Sequence, residues 1–266
     1  MADLKGRRRT IGLRIFSAIV LIIAALLATV MGGLAFLALV LIFTALVHRE
    51  LHRITQAPPM PLSFILLGLG WVAIVAAWLD AQPVAWIFFA ASLLAAALLP
   101  LWRGRSVVWS VAGTLYVIAP ALALVALREQ GFEIIVWMFL VIWATDTGAY
   151  FVGSQLRGPK LWPSVSPNKT WSGALGGAVV GSLAGALVLR LFDVPDALPA
   201  LVLISLLVSV SGQLGDLAES AWKRHFNVKD TGSIIPGHGG VMDRLDSLVS
   251  ASLVLWGLVV FERVTF

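Results

Sequence analysis

The sequence predicts an all-α integral membrane protein of about nine transmembrane helices, with its N-terminus cytoplasmic and its C-terminus on the opposite side. Three observations predict it. Mean hydropathy is +0.94, and 12% of the 266 residues are charged, against roughly 25% in ordinary soluble domains. Apolar stretches approaching the roughly 20 residues that a spanning helix needs recur along the chain. Lysine and arginine collect on alternate connections between those stretches, the pattern that cytoplasmic loops impose.

The elements follow in order. The N-terminal segment carries Lys5, Arg7, Arg8, Arg9 and Arg14 ahead of an apolar run, which resembles the opening of a secretory signal. That run continues past Gly32-Gly33 to Val47, about twice a signal core, so it reads as a retained first span. Cutting at glycine, proline and charge places spans near 14–30, 33–47, 62–79, 83–101, 107–127, 132–152, 172–190, 198–218 and 246–262. The first two, parted by Met31-Gly32-Gly33, are expected to be bent or tilted. Residues 1–130 form an N-terminal set of helices, and residues 131–266 form a catalytic region with polar loops on the cytoplasmic side.

With the N-terminus inside, sixteen of the nineteen cations lie on the cytoplasmic side; Arg128, Arg190 and Arg263 lie outside. The excess of nineteen Lys and Arg over fourteen Asp and Glu thus reflects topology rather than a nucleic-acid partner, and none is expected. Trp71, Trp78, Trp102 and Trp162 fall near span ends, where indole rings anchor at the lipid headgroups. The absence of cysteine excludes disulfides, thiolate metal sites and thiol nucleophiles.

The densest polar clusters occupy the two longest cytoplasmic connections, about 153–171 and 219–245. In "GQLGDLAESAWKR", Gln213, Asp216, Glu219, Ser220 and Lys223 recur at helical spacings of three and four and share one face. That face begins within the membrane, where a carboxylate is costly unless paired, hydrated or metal-bound. In "PGHGGVMDRLDS", the glycines around His238, including Gly239 and Gly240, permit backbone conformations closed to other residues and a close ligand approach. Asp243 and Asp246, three apart where the last span begins, suit a hard divalent cation such as Mg²⁺ with Asp216 nearby. Arg244, Lys223, Arg224 and Lys229 are placed to neutralise phosphate, and His238 to donate or orient. The structural alternative is a glycine turn with Asp243 as helix N-cap. Upstream, "SPNKTWSG" reads as a turn opening a helix, with Ser166, Lys169 and Thr170 offered to an anion or serving as caps. "WATDTGAYFVG" buries Asp146, which either joins a metal shell or holds a lysine of the next loop.

Ser220, then "KR", four residues, "KD", and "HGGVMDRLD" together resemble the signature of the phosphatidate cytidylyltransferases, also called CDP-diacylglycerol synthases. "DTGAYFVG", "SPNKTWSG" and "GDLAES" are similar to further motifs of that family, so the resemblance covers about 143–250. Trp222 departs from it, since an aliphatic residue or Phe is usual before the lysine. The resemblance implies a Mg²⁺-dependent membrane enzyme that joins CTP to phosphatidic acid, giving CDP-diacylglycerol and pyrophosphate. Carried over, it assigns Asp216, Asp243 and Asp246 to the metal-centred site. Lys223, Arg224, Lys229, Arg244, Ser166, Lys169 and Thr170 become phosphate contacts, with Ser220, His238, Gly239 and Gly240 beside the substrate. A second, monovalent cation and a homodimer are compatible with it. Two other classes compete: a polyprenyl-phosphate sugar transferase, which would release a nucleoside phosphate instead of pyrophosphate, and a secondary transporter, which would spread polar residues along its spans.

Overall fold

The computed structural model describes residues 2–56, 60–195, 197–235 and 239–260; at 2–11, 13–15, 60, 102 and 103 it describes the backbone alone. Among these residues the chain is helical almost throughout. The helices are α1 (Ala2–Met31), α2 (Gly33–Thr55), α3 (Met60–Trp78), α4 (Gln82–Leu98), α5 (Val107–Gln130), α6 (Phe132–Leu156), α7 (Trp171–Leu191), α8 (Leu198–His225) and α9 (Met242–Val260). A short 3-10 turn, Leu99–Arg103, extends α4, and strands β1 (Lys160–Trp162) and β2 (Ser166–Thr170) lie between α6 and α7. Each predicted apolar stretch overlaps one of these helices, and the last, 246–262, runs beyond the described residues at 261 and 262. Seven, α2 to α8, are long and apolar enough to cross a membrane. The apolar part of α1 is shorter, Phe16–Met31, and α9 opens on Asp243, Arg244 and Asp246.

The chain forms two compact units, Met1–Val125 with Val228–Arg244, and Ala126–Asn227 with Leu245–Phe266. In the first, α1 and α2 are parted at Gly32 and Gly33, whose φ angles of 64° and 50° are open to glycine at no steric cost. The Trp71 indole donates to the Thr44 hydroxyl at 3.0 Å, tying α3 to α2 and giving a polar handle to an otherwise apolar contact. α2 ends at Gln56 in the left-handed conformation, with His52 and Arg53 in its last turn, where positive charge complements the helix dipole.

In the second unit α7 lies against α6 along Gly173, Gly177, Gly181 and Gly185. A Cβ at Gly177 would stand 2.7 Å from the Thr145 carbonyl oxygen, so the two backbones meet at a distance only small residues allow. The Thr145 and Ser209 hydroxyls are 2.7 Å apart, linking α6 to α8. The Trp137 indole donates to the Gly185 carbonyl at 3.0 Å.

Three local expectations change. "SPNKT" is not a turn but strand β2, paired antiparallel with β1 through Lys160–Thr170 and Trp162–Ser166. The helix still begins directly after it, with Thr170 as N-cap accepting from the Gly173 N–H at 3.1 Å. Helices α6 and α8 continue to Leu156 and His225, so the polar connections are shorter than the sequence suggested; α8, at 28 residues, is about 42 Å long and carries its polar face beyond a hydrocarbon core of about 30 Å. Asp146 is exposed, not buried. α7 covers the face of α6 bearing Thr145, Gly148, Ala149 and Val152, and Asp146 lies off that face.

Candidate active site

The polar residues gather into two clusters, one in each unit. In the first unit residues 228–235 and 239–241 fold back on two carboxylates. Thr231 donates from its backbone N–H to Asp243 Oδ2 at 2.9 Å, and Gly240 N–H donates to the same oxygen at 2.9 Å. The Thr231 hydroxyl stands 3.0 Å from Asp243 Oδ2 and 2.9 Å from Glu50 Oε2, bridging the two acids. Glu50, from α2, accepts the Val241 N–H on Oε1 at 2.9 Å and the Met242 N–H on Oε2 at 2.8 Å. These N–H groups open α9 and have no acceptor within the helix, so an acid from another helix caps it. Glu50 is completely buried and Asp243 nearly so, at 0% and 8% exposure.

The glycines predicted here serve this packing. Gly239 has φ 88°, and a Cβ on it would stand 3.0 Å from Asp243 Oδ2. At Gly240 a Cβ would meet the Thr231 hydroxyl and Glu50 Oε2, the latter at 2.6 Å. Ile235 N–H bonds to the Gly239 carbonyl at 3.0 Å, closing the loop. Lys229 and Arg244 are exposed. His238 lies outside the described residues.

In the second unit Asp216 on α8 pairs with Lys169 of β2 and receives the Ser220 hydroxyl at 3.4 Å. One turn on, Lys223 donates to Glu219 at 2.8 Å, with Glu219 buried at 1% exposure. The i, i+4 spacing of Asp216 with Ser220 and Glu219 with Lys223 places these four on one face, as the sequence predicted. Asp246, half-buried on α9, accepts the Ser247 N–H at 2.7 Å and lies within electrostatic reach of Asp216, Glu219 and Asp146. Arg224, exposed at the end of α8, donates from Nε to the Val165 carbonyl at 3.3 Å, fixing the β1–β2 turn. Ser166 is half-buried in β2, and the Thr170 hydroxyl is engaged in capping.

Two acids that sequence reasoning had not placed in a site thus stand in these clusters, Glu50 in the first and Glu219 in the second. Glu50 was legible by the rule already applied to Asp216, that an ionisable residue within an apolar helix is a functional candidate. Glu219 was seen on the shared face and given no role.

Among the described residues no three or more His, Asp or Glu side chains form a ready cage for a metal. Mg²⁺ is seldom held by such a cage. It takes one or two carboxylates and completes its shell with water and substrate phosphates. Asp246 has Asp216, Glu219 and Asp146 within electrostatic reach, and one or two such hard oxygen donors, completed by water and substrate phosphates, fit that cation.

The sequence profile of the cytidylyltransferase family matches residues 12–261. The chain is similar to the phosphatidate cytidylyltransferases of Brucella suis biovar 1 (strain 1330) and Brucella melitensis biotype 1, each 41% identical over 249 residues and matched over 91% of both chains. It is also similar to the phosphatidate cytidylyltransferase of Bacillus subtilis (strain 168), 47% identical over 133 residues, which are 50% of this chain and 49% of that one. With the matched region spanning nearly every helix and both polar clusters, the chain belongs to the cytidylyltransferase family.

Proposed function

We propose that this protein transfers the CMP moiety of CTP to phosphatidic acid, releasing pyrophosphate and leaving CDP-diacylglycerol in the membrane. The observation that carries the reading is the α8 cluster. Lysines paired to Asp216 and Glu219 stand beside a further carboxylate, Asp246, at the end of a spanning helix, in a chain of the cytidylyltransferase family.

In the reaction an oxygen of the phosphatidate headgroup attacks the α-phosphorus of CTP. One P–O bond forms, and the bond from that phosphorus to the bridging oxygen breaks, so pyrophosphate leaves with its electron pair. The attacking phosphate is already an anion, and neither a covalent enzyme intermediate nor a strong base is needed. Both reactants are negatively charged, so the chain must offset repulsion. Lys169 and Lys223 hold their charges on flexible stems against Asp216 and Glu219, from which a phosphate can draw them. Lys229, Arg224 and Arg244 supply further cationic contacts, and Ser166 and Ser220 hydroxyl donors. Asp216, Asp246 and Asp146 would hold Mg²⁺, which would supply charge neutralisation on the transferring phosphate, and Asp243 would offer its carboxylate to a divalent ion. The same reading carries a monovalent second cation and a homodimer.

We place the site on the cytoplasmic side of a bacterial inner membrane, supported by the sixteen-to-three division of cations. Cytosolic CTP then reaches the polar ends of α6 and α8, while phosphatidic acid arrives within the bilayer.

Purified protein given CTP labelled in cytidine, phosphatidic acid and Mg²⁺ should move label into the lipid fraction with an equal amount of pyrophosphate, and EDTA should abolish turnover. Label on a polyprenyl lipid, with nucleoside phosphate released, would replace this reading with a sugar-phosphate transferase. Orientation is checked with single cysteines in a chain that has none. In intact cells a membrane-impermeant thiol reagent should label Ala197→Cys, before α8, and not Ser154→Cys, near the end of α6. The reverse pattern would put the cluster away from CTP.

A further inference from the structure

Glu50 is a buried acid on a helix remote in sequence from every residue of the phosphate-handling motifs. It stands 181 positions from Thr231 and 192 from Met242, yet it holds both. Its hydrogen-bond partners are two backbone N–H groups and one hydroxyl, which divide over the two carboxylate oxygens: Val241 N–H on Oε1, Met242 N–H and the Thr231 hydroxyl on Oε2. A carboxylate accepts at both oxygens, whereas an amide of the same shape accepts at one and presents N–H to a donor at the other. The loop backbone closes so tightly that a Cβ at Gly232 would lie 2.8 Å from Glu50 Oε1, and one at Gly240 2.6 Å from Oε2. The Thr231 hydroxyl has one proton and two carboxylates within 3.0 Å, Glu50 and Asp243, so the position of one acid is coupled to that of the other.

We propose that Glu50 is a positioning residue for nucleotidyl transfer: its carboxylate clamps Thr231 to Val241 and Met242 and, through Thr231, fixes where Asp243 presents its charge. This rests on the reading that the loop serves CMP transfer. Glu50 meets neither substrate in this role, and its loss acts through the loop.

The test uses full-length protein in lipid nanodiscs. A nitroxide on Ser233→Cys, an exposed loop position, reports loop order. With Glu50→Gln the protein should elute as wild type, the nitroxide lines should narrow, and kcat should fall about 10- to 100-fold, the usual loss when a supporting partner of a site residue is removed. KM for phosphatidic acid should stay unchanged. Thr231→Val, which removes only the bridging hydroxyl, should move line shape and kcat in the same direction, and the double variant should be no worse than Glu50→Gln, because both act through one network. A folded Glu50→Gln protein with wild-type line shape and turnover overturns the proposal. So does one that melts earlier while its folded fraction keeps both, since Glu50 is then a stability residue alone. If Glu50→Gln does not assemble, Thr231→Val decides, and unchanged line shape and kcat again overturn it. Absence of cytidylyl transfer by the wild-type protein would instead remove the parent reading, and the line shapes would still report on the clamp.

Discussion

The two acid clusters solve the same problem differently. Glu50 and Asp243 are held by backbone N–H groups and a threonine hydroxyl, whereas Asp216 and Glu219 are held by lysines. Backbone donors cannot leave without remaking the loop, so the first cluster is a scaffold. A lysine head on its four-carbon stem can swing to a phosphate and return, so on the proposed reading the second is where substrate charge takes the place of protein charge. A buried acid in a polar cluster is therefore not by that fact a ligand. What donates to it decides whether it shapes the backbone or trades partners.

The largest effect that would sharpen this contrast is expected at Asp243, the residue with a foot in both roles. Asp243→Asn keeps an oxygen able to accept from Gly240 and Thr231, as Asn does at caps, but loses the charge. It should stay monodisperse while turnover falls about 10²- to 10³-fold, the scale of losing one major electrostatic contribution. Near-wild-type turnover at every Mg²⁺ concentration would make Asp243 a scaffold residue only.

Next comes the buried half of the lysine cluster. Lys223→Met strips Glu219 of its i+4 cation at 1% exposure, and breaking a buried pair from one side costs about 3–5 kcal/mol. Thermal melting should show a large loss that Lys223→Met/Glu219→Gln recovers while turnover stays low. If the single variant melts as wild type, Glu219 does not depend on the lysine and the contrast fails.

The smallest effect tests the scaffold by volume alone. Gly240→Ala forces a methyl against Glu50 and Thr231 and should cost about 1–3 kcal/mol. Gly257→Ala, with nothing within 4 Å of the added carbon, should melt as wild type. Equal melting of the two would show that the loop yields where the contacts say it cannot.

Much of this was legible in the chain itself. Spans of apolar residues bounded by glycine, proline and charge locate each helix, because in lipid the backbone has no other donors and acceptors and must satisfy itself locally. The face carrying Asp216, Glu219, Ser220 and Lys223 follows from helical spacing alone, and so do the pairs within it. Its family membership is legible in motifs of fixed spacing. What only the tertiary structure decided involves partners far apart in sequence. Periodicity cannot say that α7 leaves Asp146 uncovered, that Lys169 belongs to Asp216, or that "SPNKT" finds a partner strand in β1. Nor can it say that Glu50 on α2 caps α9. Each depends on which surfaces meet when the helices pack, and side-chain spacing within one segment carries no information about the segment that covers it.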